Sequence, residues 1–125
     1  MKLSWYTTDA VKPFDWNDIP REQMNPHLVR QAIHTGQMTV ARLELKAGGA
    51  VPVHAHGNEQ VSMVLSGRLK FIVAGEEVIV GAGQVLELPP DVPHGVEVLE
   101  DCTVIDLFTP PRQDWISGDD AYLRK

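Results

Sequence analysis

The feature that most constrains the fold is a succession of short, strand-like segments separated by glycine and proline. From about residue 29 onward, apolar and β-branched residues occur in short runs such as QMTVARLELK, EQVSMVLS and CTVIDLFT. Turn-forming residues separate the runs, including Gly48, Gly67, Gly83 and Pro89. Many short strands at this spacing are typical of an all-β sandwich or barrel.

The segment before these strands has a different character. Residues 1–28 are expected to form an N-terminal arm, in which Phe14 and Trp16 are interpreted as packing residues and Trp5 adds a further apolar side chain. A single turn of helix is predicted at Pro20–Met24, because proline is favoured at the first position of a helix.

The remaining boundaries follow from the prolines near the end of the chain. Pro110 and Pro111 stop the last strand, so the barrel is predicted over residues 29–109. Residues 110–125 are too short for a domain and are expected to form a C-terminal tail that packs back on the barrel. With 125 residues in total, the chain is predicted to be one domain.

Composition and charge restrict the class of partner. A chain that is 43% hydrophobic and 22% charged is typical of folded proteins, and its net charge of −6 argues against a nucleic-acid partner. The sequence contains no apolar stretch of signal-peptide or membrane-span length. The single cysteine, Cys102, cannot form an internal disulfide and is interpreted as a packing residue. We therefore expect a cytoplasmic protein with no membrane partner.

Two histidines in one strand-like run indicate a metal site. His54 and His56 are two residues apart, so in a strand their side chains point to the same face, roughly 6.6 Å apart. Gln60 has the same parity. Glu59 is the alternative ligand, but strand alternation turns it to the opposite face unless a bulge redirects it.

The spacing around these residues extends into two longer motifs. The first is G-x5-H-x-H-x3-Q-x6-G from Gly48 to Gly67, and the second, fifteen residues later, is G-x5-P-x-D-x2-H from Gly83 to His94. This pair resembles the two motifs of the cupin superfamily. The resemblance implies an all-β, RmlC-like jelly-roll barrel that binds a divalent metal in its mouth.

By that resemblance, the metal ligands are His54, His56, Gln60 and His94, and the ion is nickel, zinc, manganese, iron or cobalt. Two positions depart from the usual pattern, since Gln60 replaces a glutamate and Val98 stands where asparagine is frequent. Neutral ligands leave the ion its full charge, which favours Lewis-acid chemistry over the oxygen chemistry of sites with two histidines and a carboxylate. A metal-free barrel with buried histidines is the alternative.

A third group of residues follows the second motif. Asp106 and Phe108 share one face of the last strand by parity, and Arg112 lies just beyond its end. The runs D-x-F-x-P-x-R and D-W-I-x-G-x-D-x-Y-L resemble the pectin-degradation cupins. That resemblance implies catalytic roles for Asp106 and Arg112, with Phe108 and Arg112 in contact with the substrate.

The function implied is the conversion of 4,5-unsaturated uronate monosaccharides, released by polysaccharide lyases, to linear 4-deoxy-5-keto uronates. The implied ligand is thus a small anionic sugar, and the implied partner is a second copy of the chain in a homodimer. Two alternatives stay open. One is another metal-dependent cupin enzyme, such as a dioxygenase or a lyase, and the other is a non-catalytic sugar-binding cupin.

Overall fold

The computed structural model describes residues 11–124, which fold into two antiparallel β-sheets of jelly-roll form. The strands in this part of the chain are β1 (Glu22–Asn25), β2 (Leu28–His34), β3 (Thr39–Leu45), β4 (Ala50–His54), β5 (Glu59–Ser66), β6 (Arg68–Val73), β7 (Glu76–Gly81), β8 (Val85–Leu88), β9 (His94–Val98) and β10 (Cys102–Thr109). Single turns of 3-10 helix lie at Trp16–Asp18 and Ala121–Leu123, and α1 spans Gln113–Ile116. Trp5 lies outside the described residues.

The order of the strands brings distant parts of the sequence together. One sheet has the order β1-β2-β3-β10-β5-β8 and the other β4-β9-β6-β7. Strand β4 therefore pairs with β9, and β5 pairs with β10, so that the first motif lies beside both the second motif and the last strand. The all-β jelly-roll prediction is confirmed.

Alternation along the strands separates the interior of the barrel from its surface. In β10, Cys102, Val104, Asp106 and Phe108 are buried, and the residues between them are more exposed. The interpretation of Cys102 as a packing residue is thus confirmed. The apolar interior continues through both sheets and includes Val64, Leu69, Phe71, Leu88 and Val104.

The N-terminal arm differs from its prediction. The helical turn expected at Pro20–Met24 is wrong, because residues 22–25 form β1 and pair with β2. Burial of Met24 and the hydrogen bonds to β2 stabilise a strand there, which outweighs a weak local helix signal. Phe14 is 69% exposed, so the packing role expected for it is also wrong within the described chain.

The C-terminal tail packs on the barrel as expected. Trp115, Asp120 and Leu123 are buried, and a carboxylate oxygen of Asp120 lies 2.9 Å from a guanidinium nitrogen of Arg30 in β2. The tail therefore covers the end of the barrel where β4 and β10 finish. In the range 11–124, none of the helices has the length and apolar character needed to cross a membrane.

Candidate metal centre and active site

His54 and His94 face each other on neighbouring strands. They are opposite partners in the β4–β9 ladder, and their ring centroids are 4.5 Å apart. Gly95 permits this approach, because a Cβ at that position would lie 3.0 Å from a Val53 methyl and 3.1 Å from the Val51 carbonyl oxygen. The ladder is irregular between Val51 and His54, which turns the end of β4 toward the mouth of the barrel.

His56 and Gln60 complete the group from the other side. His56 lies just after β4, and its ring centroid is 5.0 Å from that of His94. Gln60 is buried on β5, with Oε1 3.1 Å from His56 Nε2, whereas Glu59 is exposed. Strand alternation thus turns Gln60, not Glu59, toward the histidines.

The histidines are held with one nitrogen free for a ligand bond. Each Nδ1 lies 2.8 to 3.2 Å from a main-chain carbonyl oxygen, which can only accept, so each Nδ1 carries the proton and each Nε2 has a lone pair. The acceptors are the carbonyl oxygens of Pro52, Asn58 and Val92. Burial lowers the pKa of His54 and His94, and burial together with the charge of Arg112 lowers the pKa of His56 to about 4. The imidazoles are therefore neutral at pH 7.

This donor set fits a divalent metal ion. One ring nitrogen from each of His54, His56 and His94 lies within 4.8 Å of the others. The Gln60 amide donates from Nε2 to Ser62 Oγ at 3.0 Å, which leaves Oε1 facing the unprotonated Nε2 of His56. Two acceptors only 3.1 Å apart with no proton between them repel each other, and a cation bound by both would remove that repulsion. Nitrogen and oxygen donors of this kind suit zinc, nickel, iron, cobalt or manganese.

Asp106 is an acid inside the barrel, on the strand next to Gln60 and Ser62. Its side chain is buried, and Oδ1 has no hydrogen-bond partner in the part of the chain that the structure describes. Burial raises the pKa of Asp106 to about 6, although a hydrogen bond from Ser62 and the charge of Arg112 act in the opposite direction. A buried carboxyl group with one oxygen left free of hydrogen bonds by the described residues and a pKa near neutrality is suited to proton transfer.

Arg112 and Phe108 form the wall beside Asp106. The Arg112 guanidinium carbon lies 4.7 Å from the centroid of the Phe108 ring, and both side chains are buried. Arg112 also makes a bidentate ion pair with Asp114, with Nε and Nη2 at 2.9 and 2.7 Å from the two carboxylate oxygens. The edge formed by Nε and Nη2 is thus already occupied by the protein itself.

These residues surround one cavity of about 60 Å³. Its polar lining consists of His54, Gln60, His94, Asp106 and Arg112, and Phe108 and Tyr122 add aromatic walls. The structure therefore brings together all of the predicted site residues, with His56 in contact with Gln60 at its edge. Sequence reasoning missed Tyr122, whose ring centroid lies 4.8 Å from that of His54. The only signal for it was the tail run D-W-I-x-G-x-D-x-Y-L, in which no role was assigned to the tyrosine.

The mouth of the jelly-roll barrel thus brings together three histidines, a glutamine and a buried acid around one cavity, and the three histidines could hold a metal ion. The chain belongs to the cupin domain family, whose model matches residues 41–108. An uncharacterised protein of Streptomyces coelicolor is 29% identical over 103 residues, which cover 81% of this chain and 98% of the relative.

Solved structures extend the comparison. The structure of KdgF from Halomonas sp. is 26% identical with a TM-score of 0.78, over 84% of this chain and 98% of that one. An RmlC-like cupin from Shewanella frigidimarina is 28% identical with a TM-score of 0.77, over 84% and 96%. Oxalate decarboxylase of Bacillus subtilis, at 18% identity and a TM-score of 0.68 over 77% of this chain and 28% of that one, shares the fold alone.

Proposed function

We propose that the protein converts a cyclic 4,5-unsaturated uronate to the linear 4-deoxy-5-keto uronate, as a metal-dependent isomerase of pectin or alginate breakdown. The observation that carries the proposal is the buried Asp106, whose Oδ1 has no partner within residues 11–124, located in one cavity with two of the histidines and Gln60. The similarity to KdgF, together with the resemblance to pectin-degradation cupins, supports the choice of substrate.

The reaction requires a proton to move from one part of the sugar to another. Loss of the proton from the C1 hydroxyl forms the aldehyde and breaks the bond between C1 and the ring oxygen. The electron pair moves through the ring oxygen and C5, and C4 takes up a proton as the C5 ketone forms. No atoms are gained or lost overall. A single acid/base group can serve both steps, and we assign that role to Asp106.

The other residues hold the substrate and set the electrostatics. His54, His56, His94 and Gln60 would hold the metal ion. When bound, a divalent ion supplies Lewis-acid stabilisation of negative charge on oxygen. Because the four ligands are neutral, they would not reduce the positive charge of the ion. Arg112 would stabilise the carboxylate of the substrate by charge.

The size of the cavity places a condition on binding. A volume of about 60 Å³ holds a few water molecules and is smaller than a six-carbon sugar acid. We therefore expect the cavity to widen when the sugar binds, with the ring of Tyr122 lying against it.

The test is the ultraviolet absorbance of a lyase-generated unsaturated uronate mixed with metal-loaded protein. We expect the absorbance of the C4–C5 double bond to disappear faster than in buffer alone, and chelation to abolish the effect. Asp106→Asn should reduce kcat by about 100- to 10,000-fold with the metal content unchanged, because it removes the acid/base group. Asp18→Asn, which makes the same change at an exposed position on the first 3-10 turn, is the matched control. Full activity in Asp106→Asn would remove Asp106 from the mechanism.

The same assay separates the alternative functions. Consumption of oxygen with a candidate substrate would favour a dioxygenase, and tight sugar binding without turnover would favour a non-catalytic sugar-binding protein.

We also propose that the protein is a homodimer, as the family resemblance implies. The exposed Phe14 in the arm, together with exposed Val11, offers apolar surface for a second copy. Size-exclusion chromatography with light scattering at two concentrations tests this, and a monomer at both would contradict it.

A further inference from the structure

Tyr122 belongs to the tail but lines the site. The 3-10 turn at Ala121–Leu123 places its ring 4.8 Å from the His54 ring, and the side chain lines the cavity. Its hydroxyl accepts a short hydrogen bond from Arg112 Nη2 and a longer one, at 3.4 Å, from Trp115 Nε1. A tyrosine oxygen that already accepts two hydrogen bonds still has its own proton to donate.

Arg112 has one free nitrogen next to this hydroxyl. Its Nε and Nη2 donate to Asp114, and Nη2 also donates to Tyr122. Among residues 11–124, the hydrogen bonds of the guanidinium group come from Nε and Nη2 and none comes from Nη1, and Arg112 lines the cavity. Asp114 therefore prevents a substrate carboxylate from forming the usual bidentate pair with Nε and Nη2. The donors left for a substrate carboxylate are Nη1 and the hydroxyl of Tyr122.

We propose that Tyr122 is a substrate-binding residue that selects for a carboxylate, donating a hydrogen bond to one carboxylate oxygen while Arg112 Nη1 donates to the other. The inference rests on the proposed function for the class of ligand, a sugar acid. Arg112, which the proposed function assigns to the substrate carboxylate, then supplies one of two hydrogen bonds to it, and the tail supplies the other.

Buried contacts hold the tail in the position that this role requires. Asp120, two residues before Tyr122, is fully buried, with carboxylate oxygens 2.9 Å from Arg30 Nη2 and 3.0 Å from Arg124 Nε. Two guanidinium groups pack against the Trp115 ring. The guanidinium carbons of Arg30 and Arg112 lie 4.4 and 4.6 Å from its centroid. These contacts tie the 3-10 turn to β2 and to the site, so that Arg30 and Asp120 are positioning residues for Tyr122.

The experiment compares two proteins with two substrates. The proteins are wild type and Tyr122→Phe, which keeps the ring and removes only the hydroxyl. The substrates are the unsaturated uronate and its methyl ester, which keeps the sugar and removes the negative charge. A hydrogen bond to a charged group is worth roughly 10- to 100-fold in binding, so Tyr122→Phe should raise KM for the acid by about that factor. For the ester, the change in KM should be less than about threefold, because the hydroxyl then has no charged partner to lose.

The ester distinguishes a contact with the substrate from a purely structural role. If Tyr122 only keeps Arg112 and the tail in place, Tyr122→Phe lowers kcat/KM equally for the acid and the ester. An equal loss, or no loss, with wild-type turnover intact would overturn the inference and leave the proposed function standing.

A binding measurement separates the inference from the proposed reaction. Isothermal titration calorimetry of metal-loaded protein with D-galacturonate and with its methyl ester should show a preference for the acid in wild type that Tyr122→Phe loses. If wild type shows that preference but no turnover of the unsaturated uronate, the carboxylate-binding role of Tyr122 is supported and the proposed reaction fails. If it shows neither, both are overturned.

Discussion

The buried carboxyl group of Asp106 should make the metal-free protein less stable as the pH rises from about 4 to 7. Its pKa is about 6 in the folded barrel, against 3.8 for an ordinary aspartate. The folded state therefore holds the Asp106 proton more tightly than the unfolded state. Stability from this group is fully present below pH 3.8, falls between about pH 4 and 6, and stays low above pH 6.

The size of this effect follows from the difference in pKa. The difference in pKa of about 2.2 corresponds to about 3 kcal/mol at pH 7, because a tenfold change in proton affinity is worth about 1.4 kcal/mol. At pH 4 the same calculation leaves only about 0.6 kcal/mol. Asp106→Asn carries no charge at any pH, so relative to wild type it should gain roughly 2 to 2.5 kcal/mol in free energy of unfolding between pH 4 and pH 7. Any loss of shape or hydrogen bonding in the variant is the same at both pH values and cancels.

The assay is urea unfolding followed by tryptophan fluorescence, with metal-free wild type and Asp106→Asn compared at intervals from pH 4 to pH 8. Because wild type and Asp106→Asn are compared at the same pH, the effect of histidine protonation on stability is common to both proteins and cancels. Asp18→Asn, at the exposed position, is measured in parallel as the control. A difference in stability between wild type and Asp106→Asn that does not change with pH would show that Asp106 does not carry a raised pKa, and the argument for it as an acid near neutrality would fail.

Three further outcomes are expected. Metal content measured by mass spectrometry should be about one divalent ion per wild-type chain, and His94→Ala should lose it; retained stoichiometric metal would contradict the assigned ligands. Gln60→Glu should retain the metal but lower kcat for the uronate, because a carboxylate cancels part of the charge of the ion; an unchanged or higher kcat would refute the argument that a neutral amide matters. Asp120→Ala should lower the free energy of unfolding by about 3 kcal/mol, since it leaves the buried Arg30 charge with only the 3.4 Å contact to Glu22; a loss below about 1 kcal/mol in urea unfolding would show that the ion pair does not anchor the tail.

The candidate site could be predicted to a large extent because its members lie in regular strands or at fixed spacings. Strand parity alone turns Gln60 inward and Glu59 outward, and it places Asp106 and Phe108 on one face of β10. The backbone at Asp91 has a positive φ of 66°, which aspartate tolerates in turns. The wrong predictions lie in the arm, where the sequence shows no alternation of apolar and polar residues. The four-residue strand β1 forms there because it pairs with β2.

The sequence by itself determined the barrel, the inward faces of its strands and the identity of the polar residues at its mouth, because alternation and motif spacing are local properties of the chain. Only the tertiary structure decided which of those residues are free to act. It left Asp106 Oδ1 without a partner among the described residues, and it brought Tyr122 to His54. Those contacts depend on how the tail crosses the mouth of the barrel, held by the pairing of Arg30 with Asp120, and no short spacing in the sequence encodes a contact between residues ninety positions apart.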